Sequence, residues 1–429
     1  MNKIQVFMFS LMVALILGAY TVAAAPPVVN DKNDMGIAMA ALSNPQWPKI
    51  FIVVYKPDLP VDATTDAIKE KYGLGEAYRY YSAIQGAALL VPDGKTLSEL
   101  VRDDRISSIT PDREVKLIPE PEAQPMAKSS RPRPTPTPTP TPVQTNPIGL
   151  VRIGGLSNGN EGLDIRVAVI DTGIDLDHPD LIDNIDPTLR MDCVGDSTTH
   201  RNPADDANGH GSHVAGTIAA VDNSFGSLGV GSKIKLVPVR VLNSAGSGTW
   251  SSVICGIDYV TFHNTEIPVA SMSLGGSGTD TDSSLRQAIT RSVGAGVTYT
   301  VAAGNNGQNA NNFVPAAYDD VITVSAHDNS GDIDNGFASW SNYGSDVDIA
   351  APGVNIFSTY NNGGYAILSG TSMATPHVAA AAALYIKNNP GASPAQVRQE
   401  LILNGENGYN GQGGNHPEPL LNIRNLPFQ

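Results

Sequence analysis

The segment GTSMATPHVA, residues 370–379, places a serine between a Gly-Thr pair and an alanine-rich run, with a proline and a histidine close behind. Ser372 can have either of two roles. Its hydroxyl can cap a helix, because Ser and Thr accept hydrogen bonds from the free N–H groups at a helix start. It can also be a nucleophile held where those N–H groups favour developing negative charge. The choice depends on whether a base and an orienting acid occur elsewhere.

Two further segments supply such residues. VAVIDTGIDLDHPDL (167–181) puts Asp171 at the end of a predicted strand, and DANGHGSHVAGTIAA (206–220) puts His210 at a predicted helix start. In a serine triad the Ser attacks a carbonyl, the His takes its proton and the Asp orients the His. Asp, His and Ser in this chain order form one of the known orders of that triad. Each segment alone is weak evidence, but the three together are specific.

The residues around these segments predict an α/β fold with a mostly parallel sheet between helices. Apolar runs without alternation, separated by helical segments, indicate strands that are buried on both faces. Sites in such sheets lie at the carboxyl ends of the strands. We predict strands at 165–170, 234–242, 269–274, 297–303 and 321–326, and helices at 213–221, 250–263, 283–293 and 371–388.

A smaller unit precedes this region. Residues 47–118 read as strand, helix, strand, helix and one or two further strands, which predicts a small α+β, ferredoxin-like domain. Residues 119–142 form a linker whose Pro-Thr repeat favours an extended polyproline II spacer. The sequence therefore divides into a small domain, a linker and a large domain at 143–429.

Charge is distributed unevenly between these parts. Residues 143–429 hold 12 Lys and Arg against 27 Asp and Glu, so they carry the whole net charge of −15. Such a field disfavours binding to nucleic acid. An acidic domain is also a plausible calcium binder, because hard cations prefer oxygen ligands.

Residues 1–25 have the pattern of a signal peptide: Lys3, a short apolar run, and small residues before position 26. A membrane anchor is the alternative, but the run is short for about 20 spanning residues. We expect secretion, with no membrane attachment once this segment is removed. In an oxidising compartment Cys193 and Cys255, the two cysteines of the chain, can form a disulfide or remain two free thiols.

From about Val143 onward the chain resembles the subtilisin family of serine proteases, particularly its secreted bacterial and proteinase K-like members. Residues 47–118 resemble the inhibitor-type propeptide of that family. The resemblance implies a serine endopeptidase that is made as a self-processing zymogen, with its propeptide acting as chaperone and inhibitor. It also implies that Asp171, His210 and Ser372 form the triad and that no cofactor takes part in catalysis.

The resemblance extends to residues around the triad. Asn305, in VAAGNNGQN, matches the asparagine that binds the oxyanion, although alone it reads as a turn residue. Two glycine-rich segments match the strands that pair with a peptide substrate, which implies broad specificity. Phe313 and Trp250 fall near the first and fourth specificity pockets, so we expect a hydrophobic P1 preference. The matching substrate-binding residues are Ser273, Leu274, Gly275, Gly246, Ser247 and Gly248.

The resemblance implies one or two structural calcium ions. The residues for the first are Gln144, Asp180, Val221, Asn223, Phe225 and Ser227. Those for a possible second are Asp319, Val321 and Asp348, whose carboxylates read nearly as well as solvated surface acids. Related members carry a cysteine pair like this one, which favours the disulfide.

We therefore expect a secreted, monomeric endopeptidase that acts on proteins and peptides. A non-catalytic subtilisin-like binding module is the alternative from another class, and a stalked structural protein is a third. The complete set of Asp171, His210, Ser372 and Asn305 favours the enzyme.

Overall fold

The computed structural model describes residues 49–120, 143–155, 161–195, 203–279, 283–329 and 336–426. The predicted signal peptide and nearly all of the predicted linker lie outside the described residues. Within the described ranges, no helix combines the length and apolarity needed to cross a membrane.

Residues 49–120, here called the N-terminal unit, form a four-stranded antiparallel sheet with two helices and one further strand. The sheet order is β2-β3-β1-β4. The sequence prediction missed β2, whose half-buried polar residues Glu76 and Arg79 hide its strand pattern. The elements are β1 (Lys49–Tyr55), α1 (Val61–Tyr72), β2 (Gly75–Tyr80), β3 (Gly86–Val91), α2 (Gly94–Leu100), β4 (Ile106–Pro111) and β5 (Glu114–Leu117).

The sheet of the N-terminal unit is buried on both faces. Because side chains alternate along a strand, Phe51 and Val53 pack into the unit's own core, whereas Ile52 and Val54 belong to the core of the following residues. The two units therefore share a hydrophobic core.

The main unit, residues 143–426, contains the large sheet. Its helices are α3 (Ile148–Ile153), α4 (His210–Ala219), α5 (Trp250–Phe262), α6 (Ser283–Gly294), α7 (Thr371–Asn388) and α8 (Pro394–Leu403). Its strands are β6 (Arg166–Asp171), β7 (Met191–Asp192), β8 (Lys235–Arg240), β9 (Ser247–Thr249), β10 (Val269–Met272), β11 (Leu274–Ser277), β12 (Thr298–Ala302), β13 (Phe313–Val314), β14 (Ile322–Asp328), β15 (Gly336–Phe337), β16 (Ile349–Pro352), β17 (Ile356–Tyr360) and β18 (Gly364–Leu368).

Eight strands form the large sheet in the order β15-β14-β12-β10-β6-β8-β7, with β16 also paired to β14. Every pairing in it is parallel except that of β15. Along β6, Ala168 and Ile170 face the core that contains α5 and α6, while Val167 and Val169 face the core that contains α4 and α7. The predicted parallel sheet between helices is confirmed.

Candidate active site

Asp171 and His210 form a buried pair at the carboxyl end of β6. The Nδ1 atom of His210 lies 2.9 Å and 3.0 Å from the two carboxylate oxygens of Asp171. Burial alone would lower the pKa of His210, but the charge and hydrogen bond of Asp171 outweigh it and hold that pKa above its ordinary value. The Nε2 atom has no hydrogen-bond partner among the described residues, so it is available to accept a proton.

Asp206, which the sequence analysis did not single out, organises the start of α4 below His210. One carboxylate oxygen accepts from the backbone N–H of Gly209 and from the Thr172 hydroxyl, and the other accepts from the backbone and hydroxyl of Ser212. These bonds satisfy N–H groups that a helix start leaves free. The sequence did contain a signal for this role: Asp206 lies four residues before the candidate base His210, at a predicted helix start.

Gly209 lets the chain turn into α4 directly before His210. Its φ of 114° lies in the region that favours glycine. A Cβ at this position would also lie 2.3 Å from the ring of Tyr360. This turn therefore fixes His210 at the first position of the helix.

Ser372 lies in the first turn of α7, as expected, and is 2% exposed, but the N-cap is Gly370 and no side chain caps the helix. Its Oγ donates to the Ser273 carbonyl at 3.2 Å and makes no bond to His210. Pro376 lacks the N–H that would otherwise bond the Ser372 carbonyl four residues earlier. The Ser273 hydroxyl supplies that donor instead, at 2.9 Å, and so ties the nucleophile's backbone to the neighbouring strand.

Asn305 lies beside Ser372 with its side-chain amide in a fixed orientation. Its Oδ1 accepts from the backbone N–H and the hydroxyl of Thr371, at 2.9 Å and 2.8 Å. Its Nδ2 is therefore directed away from α7, and it donates to the Pro119 carbonyl at 2.9 Å. An amide N–H held in this way can stabilise a carbonyl oxygen that becomes negatively charged.

The two predicted substrate-binding segments form the walls of a cleft, and β5 of the N-terminal unit fills it. The strand lies between β11 and β9 and is antiparallel to both. The pairs are Lys116 with Gly275, Leu117 with Leu274, Val115 with Gly248, and Lys116 with Ser247. The backbone N–H of Leu117 also donates to the Gly246 carbonyl at 2.9 Å.

The residues expected to hold the first calcium ion lie together around one loop. Asn223 donates to one carboxylate oxygen of Asp180, the Ser227 N–H donates to the other, and the Gln144 amide contacts Val221. Burial raises the pKa of Asp180, and no Lys or Arg among the described residues neutralises this carboxylate. In this structure the carboxylate accepts hydrogen bonds from the Asn223 amide, the Ser227 N–H and the Tyr365 hydroxyl, so calcium binding at Asp180 stays a prediction.

The remaining ligand of this set, the backbone of Phe225, lies in the same loop and bridges to Val143. Among the described residues, no three His, Cys, Asp or Glu side chains converge on a metal position. The first site would therefore depend on one carboxylate together with amide and carbonyl oxygens.

The residues expected to form a second calcium site do not fit one. The Arg398 guanidinium from α8 bonds the Asp348 carboxylate, with Nε at 2.8 Å, and the Asp319 carbonyl at 2.7 Å. These are two of the three groups that would bind the ion, with Val321 as the third. A fixed positive charge therefore lies where the cation was expected.

Cys193 and Cys255 are joined by the expected disulfide. The bond links the residue after β7 to α5, the helix that packs against the N-terminal unit. The Tyr78 hydroxyl donates to the Cys193 carbonyl at 2.6 Å, so the disulfide lies beneath that unit.

Comparisons with known proteins agree with this geometry. A model of the subtilase family matches residues 162–417. Subtilisin J from Geobacillus stearothermophilus is 35% identical over 402 residues, which cover 91% of this chain and 93% of that protein. Subtilisin Savinase from Lederbergia lenta is 43% identical over 261 residues, which cover 60% of this chain and 90% of that protein.

A solved structure described as a cold adapted subtilisin-like serine proteinase superposes with a TM-score of 0.56 at 37% identity. The match covers 64% of this chain and 97% of that chain. The fold, the cleft and these relatives define a serine endopeptidase that acts on proteins. The chain belongs to the subtilase family.

Proposed function

We propose that the protein is a secreted serine endopeptidase, stabilised by calcium and made as a zymogen. Ser372 attacks the substrate carbonyl, His210 takes the Oγ proton and later gives it to the leaving amine, and Asp171 stabilises the charged imidazole. Asn305 and the Ser372 N–H bind the oxygen of the tetrahedral intermediate. One observation carries the proposal: a peptide strand lies in the cleft with a carbonyl 2.9 Å from the Asn305 amide, beside Ser372.

The Ser372 hydroxyl must rotate to serve this mechanism. It donates to Ser273 while β5 fills the cleft, and His210 Nε2 is unpartnered among the described residues. Catalytic hydrogen bonds are often loose in the absence of a reacting substrate. One rotation about the Ser372 side chain toward Nε2 would complete the triad.

The N-terminal unit serves as propeptide and inhibitor in this proposal. Its strand β5 pairs with both cleft walls, and its sheet completes a hydrophobic core of the main unit. A strand added to two edges also explains broad specificity, because main-chain pairing does not read sequence. Ile118, the residue before Pro119, is 7% exposed and lies beside Gly275, so the cleft accepts an apolar side chain here; a hydrophobic P1 preference stays part of the proposal.

Secretion rests on the signal-peptide pattern of residues 1–25 and on the disulfide. We also propose that the enzyme is free of the membrane once that segment is removed. We further propose a monomer without affinity for nucleic acid, since the main unit is strongly acidic. One structural calcium ion at Asp180 completes the proposal.

The test uses purified protein after limited trypsin digestion, since Lys128 in the linker is not followed by proline. We expect the wild type to hydrolyse a denatured protein substrate and to react with a fluorophosphonate probe. Ser372→Ala should do neither, while Ser369→Ala, three residues earlier, should do both. If the wild type binds denatured protein without cutting it, the binding-module alternative is correct.

A further inference from the structure

The carboxylate of Asp206 is buried, 6% exposed, and accepts hydrogen bonds at both oxygens. One oxygen accepts from the Thr172 hydroxyl at 2.8 Å and from the backbone N–H groups of Asn208 and Gly209, each at 2.9 Å. The other accepts from the N–H of Ser212 at 2.9 Å and from its hydroxyl at 2.7 Å. Among the described residues, no Lys or Arg forms an ion pair with it. An ionised carboxylate, which only accepts, suits this set of donors.

Thr172 connects this carboxylate to both halves of the Asp171–His210 pair. Its backbone N–H donates to Asp171 Oδ1 at 2.7 Å. Its hydroxyl donates to Asp206 and accepts from the N–H of Gly211, the residue after His210, at 2.9 Å. The end of β6 and the first turn of α4 are therefore joined through one hydroxyl and one carboxylate.

The two segments also approach each other backbone to backbone. A Cβ on Gly211 would lie 2.1 Å from the Gly173 carbonyl oxygen, so no side chain separates the start of α4 from the turn after Asp171. The spacing between them is set by the polar contacts of Thr172 and Asp206. The bond from His210 Nδ1 to Asp171 depends on that spacing, since hydrogen bonds weaken when distance or angle departs from ideal values.

Three carboxylates act on the imidazole of His210. Burial lowers its pKa, and Asp171 is the largest influence that raises it, followed by Asp206 and then Glu120. Glu120 belongs to the segment that leads out of the cleft, whereas Asp171 and Asp206 are both in the main unit. The main unit thus places two negative charges near the group that becomes positive when it takes the serine proton.

The other titratable side chains around α4 add no charge at neutral pH. Burial lowers the pKa of His213, on α4 itself, to about 3 and that of His377, on α7, to about 4. On β17, burial raises the pKa of Tyr360 above its ordinary value. Asp206 is therefore not compensated by a cation among these neighbours.

We propose that Asp206 is a positioning residue of the triad, which holds the Asp171 turn and the start of α4 at one spacing through Thr172 and favours the charged form of His210 during the reaction. The proposal rests on the proposed endopeptidase activity. It separates into a geometric part, carried by the Thr172 hydroxyl, and an electrostatic part, carried by the charge of Asp206. Each part has its own test.

The electrostatic part is tested in the intact chain carrying Ser372→Ala, which avoids self-digestion. The imidazole of His210 is followed by NMR as the pH is varied. Asp206→Asn should lower the pKa of His210, by less than Asp171→Asn does, because a raising charge is removed while burial remains. Asp205→Asn is the matched control: this neighbouring carboxylate is exposed, bonds only the Leu176 N–H, and is screened by solvent and salt.

The geometric part is tested by steady-state kinetics of the trypsin-activated enzyme. Thr172→Val removes the hydroxyl and keeps the charge of Asp206. It should lower kcat by about tenfold, or about 1.4 kcal/mol in the barrier, with KM changed by less than about twofold. Thr172→Ser restores the hydroxyl and should recover most of the lost kcat. A purely structural role would lower the stability of Thr172→Val without this division between kcat and KM.

The proposal is overturned if folded Asp206→Asn leaves the pKa of His210 unchanged, as the Asp205→Asn control should. It is also overturned if Thr172→Val keeps the wild-type kcat, or if Thr172→Ser is as slow as Thr172→Val. If Asp206→Asn does not fold, the two Thr172 variants decide. Absence of peptide hydrolysis by the activated wild type instead overturns the proposed function, while the NMR titration still tests the charge of Asp206.

Discussion

Asn305 is held by Thr371 so that one N–H projects into the cleft. We predict that Asn305→Ala lowers kcat by about 10²–10³, with little change in KM, which is the range known for loss of the corresponding oxyanion donor in subtilisin. Asn306→Ala is the control, because this exposed neighbour lies outside the cleft contact. Steady-state kinetics on a chromogenic peptide would test the prediction. An Asn305→Ala defect confined to KM would contradict it.

The Asp171–His210 pair predicts a defined pH dependence. Catalysis needs neutral His210, so activity should fall as the pH drops through the pKa of this residue. In the intact chain burial lowers that pKa, but Asp171, with smaller contributions from Asp206 and Glu120, raises it above its ordinary value, so the acid limb should lie above the ordinary histidine range. Asp171→Asn should move the midpoint down, since burial then dominates, and lower kcat by about 10⁴. A pH profile of kcat for both enzymes would show it; an unchanged midpoint would refute the prediction.

At the scale of elements, the interface of the N-terminal unit with α5 is built from hydrogen bonds as well as apolar contacts. The Asp258 carboxylate accepts from the backbone N–H groups of Tyr81, Ser82 and Ala83. The Tyr78 hydroxyl donates to the Cys193 and Gly195 carbonyls, and the Tyr80 hydroxyl donates to the Ser251 carbonyl. Each of these groups joins the two units directly.

We predict that Tyr78→Phe weakens this interface by about 1–3 kcal/mol, since two hydrogen bonds are lost and the buried Cys193 carbonyl loses this donor. After trypsin cuts the linker, peptide-hydrolysing activity should therefore appear faster than in the wild type. Tyr81→Phe removes only a bond to Asp62 within the N-terminal unit and serves as control. Equal rates of appearance in Tyr78→Phe and the wild type would contradict the prediction.

Helices and strands were predicted well from the sequence wherever one pattern of apolar residues, helical or strand-like, ran through the whole segment. The helix at 371–388 and the apolar strands of the large sheet have the predicted character because burial on both faces leaves few polar residues in them. The sequence prediction missed β2, where Glu76 and Arg79 pair with each other on a half-buried strand. It also missed Asp206. The hydrogen-bond partners of this residue lie at irregular positions before and after it in the chain, and such bonds leave no periodic pattern in the sequence. The contact of Arg398 with Asp348 was not predicted either, because the two residues are 50 positions apart in the sequence and only the packing of α8 places them together.

At the scale of the whole molecule, calcium should couple distant segments. The Asp180 site would join the start of the main unit, through Gln144, to the loop after α4. Calcium at a hundred times its dissociation constant should stabilise the fold by about 2.7 kcal/mol, or about 3–5 °C in Tm for a protein of this length. Thermal unfolding of the Ser372→Ala protein in calcium and in chelator would measure this and avoid self-digestion.

Two variants separate the sites in that measurement. Asp180→Asn should abolish the calcium dependence of Tm. Asp348→Asn should lower Tm by leaving Arg398 without its charge partner, yet keep the calcium dependence, because a guanidinium already fills that position. A calcium response lost in Asp348→Asn and kept in Asp180→Asn would reverse the assignment.

The proposed removal of the N-terminal unit has a consequence for the disulfide between Cys193 and Cys255. In the intact chain Cys193 and Cys255 are 1% and 9% exposed, with Tyr78 bonded across them to the Cys193 carbonyl. A reducing thiolate must reach a sulfur atom to break the bond, and the N-terminal unit covers its approach. If the proposed maturation removes that unit, the link between β7 and α5 loses the contact of Tyr78. The intact chain would then be the form whose disulfide better resists reduction, and a thiol-exchange rate measured before and after removal would test this.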